Sequence, residues 1–377
     1  MADQLVTVLG HPFSTIGRGY DARLTFKAIK KAGIETGLYD IYKYQQPNAE
    51  QKRDLLKYIV NDPNAPIQVF ALNGDEVRPC FDFLRSRLSP DTYKIVYPQW
   101  ELERYPAEWA EALNLFDEVW APAKFVQAAL EKAVSRPVHY LPLSIGEHLL
   151  PYAYGRRYFN LPEADFLFLL AFDFTSYPSR KNPWDVVEAF KIFIADKQFS
   201  HAKLVLKLNN SAATPDLFVK LKEEVEKIKD YTVIIDKSLT DIETKSLIRN
   251  CDCYISLHRS EGWGRSLAEA MLMKIPVIAT DYSGNTEFMT PENSFPVRYH
   301  LTDLKPGEYP FAENQVWAQP DIDHAVSLME TVYYGKYDKK LLDKAFETIL
   351  DQYSIRATSF RFLERIREIE KKIKVNF

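Results

Sequence analysis

The chain has 377 residues, 46% of them hydrophobic and 27% charged, a soluble globular composition long enough for two cores rather than one. Forty-eight Lys and Arg face 52 Asp and Glu, for a net charge of −4, which gives no footing to a nucleic-acid partner. Three cysteines exclude a disulfide framework, and no run of 18 apolar residues is present to span a membrane.

The N-terminal Leu5-Val6-Thr7-Val8-Leu9-Gly10 reads as a first strand rather than a signal peptide, so a cytoplasmic location is expected. Further strands are predicted at Ile67–Ala71, Lys94–Tyr97, Glu118–Ala121 and Val138–Leu141, with helical patterns at Tyr20–Ala32 and Phe125–Ala133. A second series runs through Phe166–Phe172, Lys203–Leu208, Thr232–Ile235, Cys253–Leu257 and Pro276–Thr280. Its helices are predicted at Pro183–Ala195, Asp216–Ile228, Asp241–Asn250 and Ser266–Met273. Cys251 and Cys253 read as reduced residues on one strand face.

Alternating strands and helices predict two α/β domains with parallel sheets. The Pro- and Gly-containing stretch 149–157 divides them, giving an N-terminal domain 1–150 and a C-terminal domain 151–350. A tail, 351–377, ends in a helix whose Phe362, Ile366, Ile369 and Ile373 form one apolar stripe, as a helix packing back on the N-terminal domain would have.

The densest chemistry lies in Ser256-Leu257-His258-Arg259-Ser260-Glu261-Gly262-Trp263-Gly264-Arg265-Ser266-Leu267-Ala268-Glu269. A strand ends, a polar loop follows, and two glycines flank Trp263 before a helix opens. Glycine lets a backbone approach a ligand closely, and the free amides of a helix start favour phosphate or a sugar hydroxyl. Glu261 and Glu269 straddle the junction and can hold two distant parts of one ligand. A capped helix with incidental acids is the plainer alternative.

The second segment is Phe172-Asp173-Phe174-Thr175-Ser176-Tyr177-Pro178-Ser179-Arg180-Lys181-Asn182-Pro183. Two cations stand just before a helix whose N-cap and first residue read as Asn182 and Pro183, an arrangement suited to a diphosphate.

Glu-x7-Glu opening on Glu-Gly-aromatic-Gly, followed by Ile275-Pro276-Val277-Ile278-Ala279-Thr280 and Ser283-Gly284-Asn285-Thr286-Glu287, resembles the signature of retaining glycosyltransferases of the GT-B fold, family 4. The resemblance implies two facing Rossmann-like domains with a cleft between them, the nucleotide sugar bound by the second. It implies that Glu261 sits beside the donor sugar and orients it, and that Glu269 binds the ribose. Gly262, Trp263, Gly264, Arg265 and Ser266 would line the donor, and Lys181 would hold its diphosphate. Where relatives carry an Arg upstream of that Lys, this chain has Thr175, so Arg180 or Lys207 is the candidate for the second cation. Gly17 and Gly19, after the first strand, would close over the diphosphate. No metal and no cofactor beyond the donor is implied.

Tyr97-Pro98-Gln99-Trp100-Glu101 and Phe116-Asp117-Glu118-Val119-Trp120-Ala121-Pro122 resemble the polysaccharide-building subgroup of that family. Trp100 and Glu101 at a strand's end could stack a sugar and bind its hydroxyls, with His11 beside them on the acceptor side; a core Trp is the alternative. Asp40 stands where a dinucleotide's ribose acid would, but Gly-x-Gly-x-x-Gly is not completed. Asp321 and Asp323 read as a solvated loop.

The expected activity is transfer of a sugar from a nucleotide diphosphate donor to a glycan or lipid-linked acceptor, with retention of anomeric configuration. An inactive GT-B subunit that binds nucleotide sugar or a partner enzyme is the alternative. Lys27, Lys30, Lys31 and the tail's basic residues, Arg365 among them, predict at most weak peripheral membrane contact.

Overall fold

The computed structural model describes residues 4–14, 17–146 and 153–375. The chain forms two compact units, Met1–Glu147 with Leu350–Phe377, and His148–Ile349. The first four positions of the expected linker, 149–152, lie outside the described residues.

Unit 1 is built on six parallel strands: β1 (Val6–Gly10), β2 (Thr36–Asp40), β3 (Ile67–Phe70), β4 (Tyr93–Val96), β5 (Glu118–Ala121) and β6 (Val138–Tyr140). Their order is β2-β1-β3-β4-β5-β6. β1, VTVLG, is buried along its whole length, as a parallel strand covered on both faces must be. It pairs on one side with β2, Val8 opposite Leu38, and on the other with β3, Val8 opposite Val69. The strand order reverses between β1 and β3, so a crevice opens beyond their carboxyl ends.

The last helix, Ile355–Val375, belongs to this unit. Ile145 N donates to Tyr353 O at 2.7 Å, the Ser144 and Thr358 hydroxyls meet at 2.7 Å, and Phe362 packs on Trp120. The apolar stripe of the tail is therefore buried at Phe362, Ile366 and Ile369 and cannot enter a bilayer. Arg365 is also lost to any membrane role. Its guanidinium is buried against Glu118 of β5, with Nε to Oε1 at 3.0 Å.

Unit 2 has a second six-stranded parallel sheet: β7 (Phe166–Asp173), β8 (Ala202–Asn209), β9 (Thr232–Asp236), β10 (Cys253–Ser256), β11 (Val277–Thr280) and β12 (Phe295–Val297). The order is β12-β11-β10-β7-β8-β9, the order of dinucleotide-binding sheets, with its reversal between β7 and β10. Both sheets are parallel and helix-flanked, so the two units are Rossmann-like, as the alternating pattern predicts. Phe168, Leu204, Leu206 and Ile255 are fully buried with Phe190 and Phe193 of the helix Pro183–Ala195. An antiparallel hairpin, β13 (Tyr299–Asp303) with β14 (Val316–Pro320), is added.

One sequence expectation needs correction, and one helix went unpredicted. Cys251 is not on a strand. It follows the helix Asp241–Asn250 as its C-cap, its N–H bonding to Ile248 O, and only Cys253 lies in β10. The helix Gly74–Leu84 escapes a periodicity reading because Pro79 interrupts it. A capping interaction, Asn73 N to Glu76 Oε2 at 3.3 Å, marks its start.

Candidate active site

The reversal point of the unit 2 sheet places two loops side by side, 174–182 after β7 and 257–264 after β10. Asn182 ties them together. It adopts a left-handed backbone (φ 52°), and its Nδ2 donates to Leu257 O at 2.9 Å and to Asp185 Oδ2 at 2.6 Å. The side chain thus bridges two loops instead of capping the helix that Pro183 opens.

This bridge brings Arg180 and Lys181 to Glu261. Lys181 Nζ donates to Glu261 Oε1, and Arg180 Nη1 lies 3.2 Å from Glu261 Oε2. Arg180 also donates to Ser260 O at 2.8 Å and is 4% exposed. Burial pushes the Glu261 carboxyl toward its neutral form, but the charges of Lys181 and Arg180 outweigh it and hold the pKa well below the carboxylate range. Glu261 is therefore an anion with a fixed orientation.

Its backbone is fixed as well. Glu261 N donates to Ser283 Oγ at 2.7 Å, and Gly284 N donates to Glu261 O at 2.9 Å. A Cβ on Gly284 would stand 2.1 Å from Gly262 O, so only glycine permits this approach. Gly264, at φ 93°, starts the helix Arg265–Leu272 in a conformation that side chains resist.

Beneath the loop, His258 is fully buried. Asn285 Nδ2 donates to Thr280 O, which leaves Asn285 Oδ1 to accept from His258 Nε2 at 3.0 Å. His258 Nδ1 then accepts from Ser256 Oγ at 3.1 Å, and the tautomer is fixed. Burial depresses the imidazole pKa to about 4, so it serves as a neutral strut. The sequence reading gave His258, Ser283, Gly284 and Asn285 no individual roles. Their presence in one short motif was the available signal.

Glu269, on the helix Arg265–Leu272, is half-buried. Burial raises its pKa; Lys245 opposes this, Asp241 adds to it and Arg265 opposes it. Ser266 bonds the Tyr254 hydroxyl. Trp263 is 2% exposed and packs on Phe288, so its ring supports the loop from below and presents no face to a ligand. Lys207 is buried, its Nζ donating to Leu208 O and to Asn209 Oδ1 at 2.7 Å rather than joining Glu261. Thr175 N and Oγ1 both donate to Asp173 Oδ1.

In unit 1, Gly19 lies in the helix Gly17–Lys31, where a Cβ would stand 2.2 Å from Ser14 O. Gly17 is the first residue of that helix. Trp100 does not fit the sugar-stacking role. It is 1% exposed, its ring meets Tyr105 and Trp109 edge-on, and Nε1 donates to Arg104 O at 2.9 Å. Glu101, next to it, is partly exposed. His11 lies instead beyond the end of β1 with Glu76, Nε2 to Oε1 at 3.1 Å, and stacks near Tyr42.

Among the described residues no cluster of three or more His, Cys, Asp or Glu could hold a metal ion. Asp321 caps the helix Ile322–Tyr333 and pairs with Arg298. No described helix is long and apolar enough to cross a membrane.

Residues 174–297 match the sequence profile of the family described as Glycosyl transferases group 1. That segment spans both loops of the site and Glu269. No curated protein matches by sequence. Among solved structures, a glycosyltransferase from Rickettsia africae ESF-5 is similar over 98% of this chain and 100% of its own, with 15% identity and a TM-score of 0.69. Sucrose-phosphate synthase from Thermosynechococcus elongatus is similar over 98% and 100%, with 13% identity and a TM-score of 0.69. HepE of Anabaena, in complex with UDP and glucose, is similar over 96% and 99%, with 11% identity and a TM-score of 0.68. The chain has the GT-B fold of these structures, and residues 174–297 of its second unit match the group 1 glycosyltransferase family.

Proposed function

We propose that the chain is a retaining, metal-independent hexosyltransferase of family 4 that moves a sugar from a nucleoside diphosphate to a glycan or lipid-linked acceptor. The observation that carries the reading is the grip of Lys181 and Arg180 on Glu261 at the reversal point of a dinucleotide-type sheet.

In the transfer the bond from the anomeric carbon to the β-phosphate oxygen breaks, and the nucleoside diphosphate leaves with the electron pair. The acceptor oxygen bonds to that carbon and gives up its proton, which the departing diphosphate can accept. The developing negative charge on the leaving group is the main electrostatic load, and fixed cations meet it without reorganisation. Lys181 and Arg180 are those cations. Glu261, held by them, accepts hydrogen bonds from donor-sugar hydroxyls and orients the ring. Glu269 places a carboxyl group on the helix Arg265–Leu272, suited to the two vicinal hydroxyls of the ribose. Surface polysaccharide assembly in the cytoplasm, with at most salt-sensitive peripheral membrane contact, is the setting we assign.

The test is a panel of UDP-, GDP-, ADP- and dTDP-sugars scored by thermal shift and by donor turnover. UDP-glucose heads it because the similar HepE structure holds UDP and glucose. A donor at a hundredfold its Kd stabilises by about 2.7 kcal/mol. No shift and no turnover with any donor would overturn the reading.

A further inference from the structure

Unit 1 has a pocket of about 170 Å³ beyond the carboxyl ends of β1, β2 and β3, at the reversal point of its own sheet. His11, Phe13, Arg18, Asp40, Tyr44 and Glu76 line it. They come from two loops, the end of β2 and the first turns of two helices, Gly17–Lys31 and Gly74–Leu84, and of these only His11 was proposed for the acceptor side. At this size the pocket is smaller than the roughly 300–1,000 Å³ clefts that enclose drug-sized ligands, and it suits a single ring.

One wall is aromatic and built to stay exposed. Tyr44 is 76% exposed, yet its ring is not loose. It stacks on Tyr42 at 4.8 Å and 22° and lies 6.2 Å from the His11 ring at 13°. The turn that sets it there is specific: Asp40 Oδ1 accepts from Lys43 N at 3.3 Å, and Lys43 takes a left-handed φ of 55°, which non-glycine residues rarely adopt. A flat apolar ring is thus presented to solvent at the lip of a polar pocket.

The other wall is polar and carries opposed charges. Arg18 Nη1 pairs with Glu76 Oε1, which His11 Nε2 also approaches at 3.1 Å. Burial would raise the Glu76 pKa, but His11 and Arg18 outweigh it and keep the carboxyl ionised, while burial raises that of Asp40. Two carboxylates against one guanidinium disfavour a phosphate. Planar acids and a guanidinium suit pairs of neutral hydroxyls, and an exposed aromatic ring suits the C–H face of a sugar.

We propose that this pocket is a pyranose subsite, with Tyr44 as the platform under the ring and Asp40, Arg18 and Glu76 as partners of its hydroxyls. Resting on the transferase reading above, it makes the acceptor a glycan terminus, recognised by its sugar and not by a lipid phosphate.

The probes are methyl α- and β-pyranosides of glucose, galactose, mannose and N-acetylglucosamine, titrated into the full chain by saturation-transfer NMR. At least one should bind with its C–H face saturated. Tyr44→Ala should weaken it about threefold to tenfold, while Tyr44→Phe, which keeps the ring, should bind like the parent. UDP and GDP are titrated into the same samples. If no pyranoside binds, or if Tyr44→Ala binds it as the parent does, the subsite is overturned. If Tyr44→Ala weakens the nucleotide instead, the platform holds a base and the subsite is again overturned. Binding confined to anionic phospholipid vesicles overturns it too. Failure of every nucleotide to bind strikes the transferase reading, and that outcome is separable from the others. Because Tyr44 is exposed, its variants keep the fold, and a circular dichroism spectrum checks this.

Discussion

Lys181 and Glu261, 80 residues apart in sequence, form a direct ion pair across the two loops of the unit 2 site. The cation proposed to meet the leaving diphosphate is therefore already partnered by the carboxylate proposed to orient the sugar. Each limits the other, so the pair should separate binding from turnover.

Glu261→Gln should show that separation. Without the carboxylate, Lys181 and Arg180 are left with uncompensated charge, and nucleoside diphosphate should bind about threefold to tenfold more tightly. Turnover should fall at least about a hundredfold, because the sugar loses its orienting acceptor. Calorimetric titration with the nucleotide and a donor-turnover assay check both. Unchanged binding together with unchanged turnover would remove Glu261 from the site.

Glu269 should make nucleotide binding sensitive to acid. A carboxyl whose pKa is raised by burial takes up its proton at a higher pH than the ordinary glutamate value of about 4.3. Protonation removes acceptor capacity for the ribose, so affinity should decline on acidification, and sooner than for an exposed glutamate. Glu269→Gln should bind about 1.5–3 kcal/mol more weakly at neutral pH and lose the excess pH dependence. Inorganic pyrophosphate, which has no ribose, is the control, and it should bind parent and variant alike.

Turnover should survive EDTA. Cationic side chains, not a metal, are proposed to carry the diphosphate charge, and among the described residues Asp321 is occupied with capping a helix. Loss of turnover that Mn²⁺ or Mg²⁺ restores would contradict the metal-independent mechanism.

The buried pair of Glu118 and Arg365 should govern acid stability of unit 1. Glu118 is fully buried, and Trp120 Nε1 and Tyr93 Oη also donate to it, at 2.7 and 2.8 Å. Burial works to raise its pKa, but the Arg365 bond and charge and these two donors hold it lowered. A lowered folded pKa means stability that is present above the unfolded value of about 4.3 and is lost as pH falls through the folded one. Arg365→Met should cost about 3–5 kcal/mol by stranding the carboxylate. Adding Glu118→Gln should recover part of it and flatten the acid limb of a urea-denaturation series. Equal acid limbs in all three proteins would refute this.

Ten of the twelve strands of the two parallel sheets were legible in sequence because such strands are short apolar runs, and strand Glu118–Ala121 and helix Pro183–Ala195 match their predicted bounds, whereas β2 and β12 were not predicted. The loop from Glu261 to Gly264 was legible because glycines mark close backbone approach. Side-chain direction was not. Trp100 and Trp263 turn inward, and nothing local in their sequence says so. The pocket of Tyr44 and Glu76 was also hidden, since it arises from loops that meet only when β1, β2 and β3 align. The hairpin of β13 and β14 was not predicted; β13 alternates Tyr299 and Leu301 with His300 and Thr302, but that face is exposed rather than turned to the core.

The terminal helix has a consequence for the order of events during synthesis. Unit 2 is continuous in sequence, whereas unit 1 waits for residues encoded after it. At roughly 5–20 residues per second, the ribosome needs on the order of ten to forty seconds to make the intervening unit. Throughout that interval Trp120 lacks Phe362, and Glu118 is without the guanidinium that neutralises it. The nascent N-terminal half thus carries an open seam, and the second-made unit is free to fold first. A stop codon before Ile355 leaves the seam open permanently, a lesion for chaperones and proteases to find even though every residue of the Lys181–Glu261 site has been made.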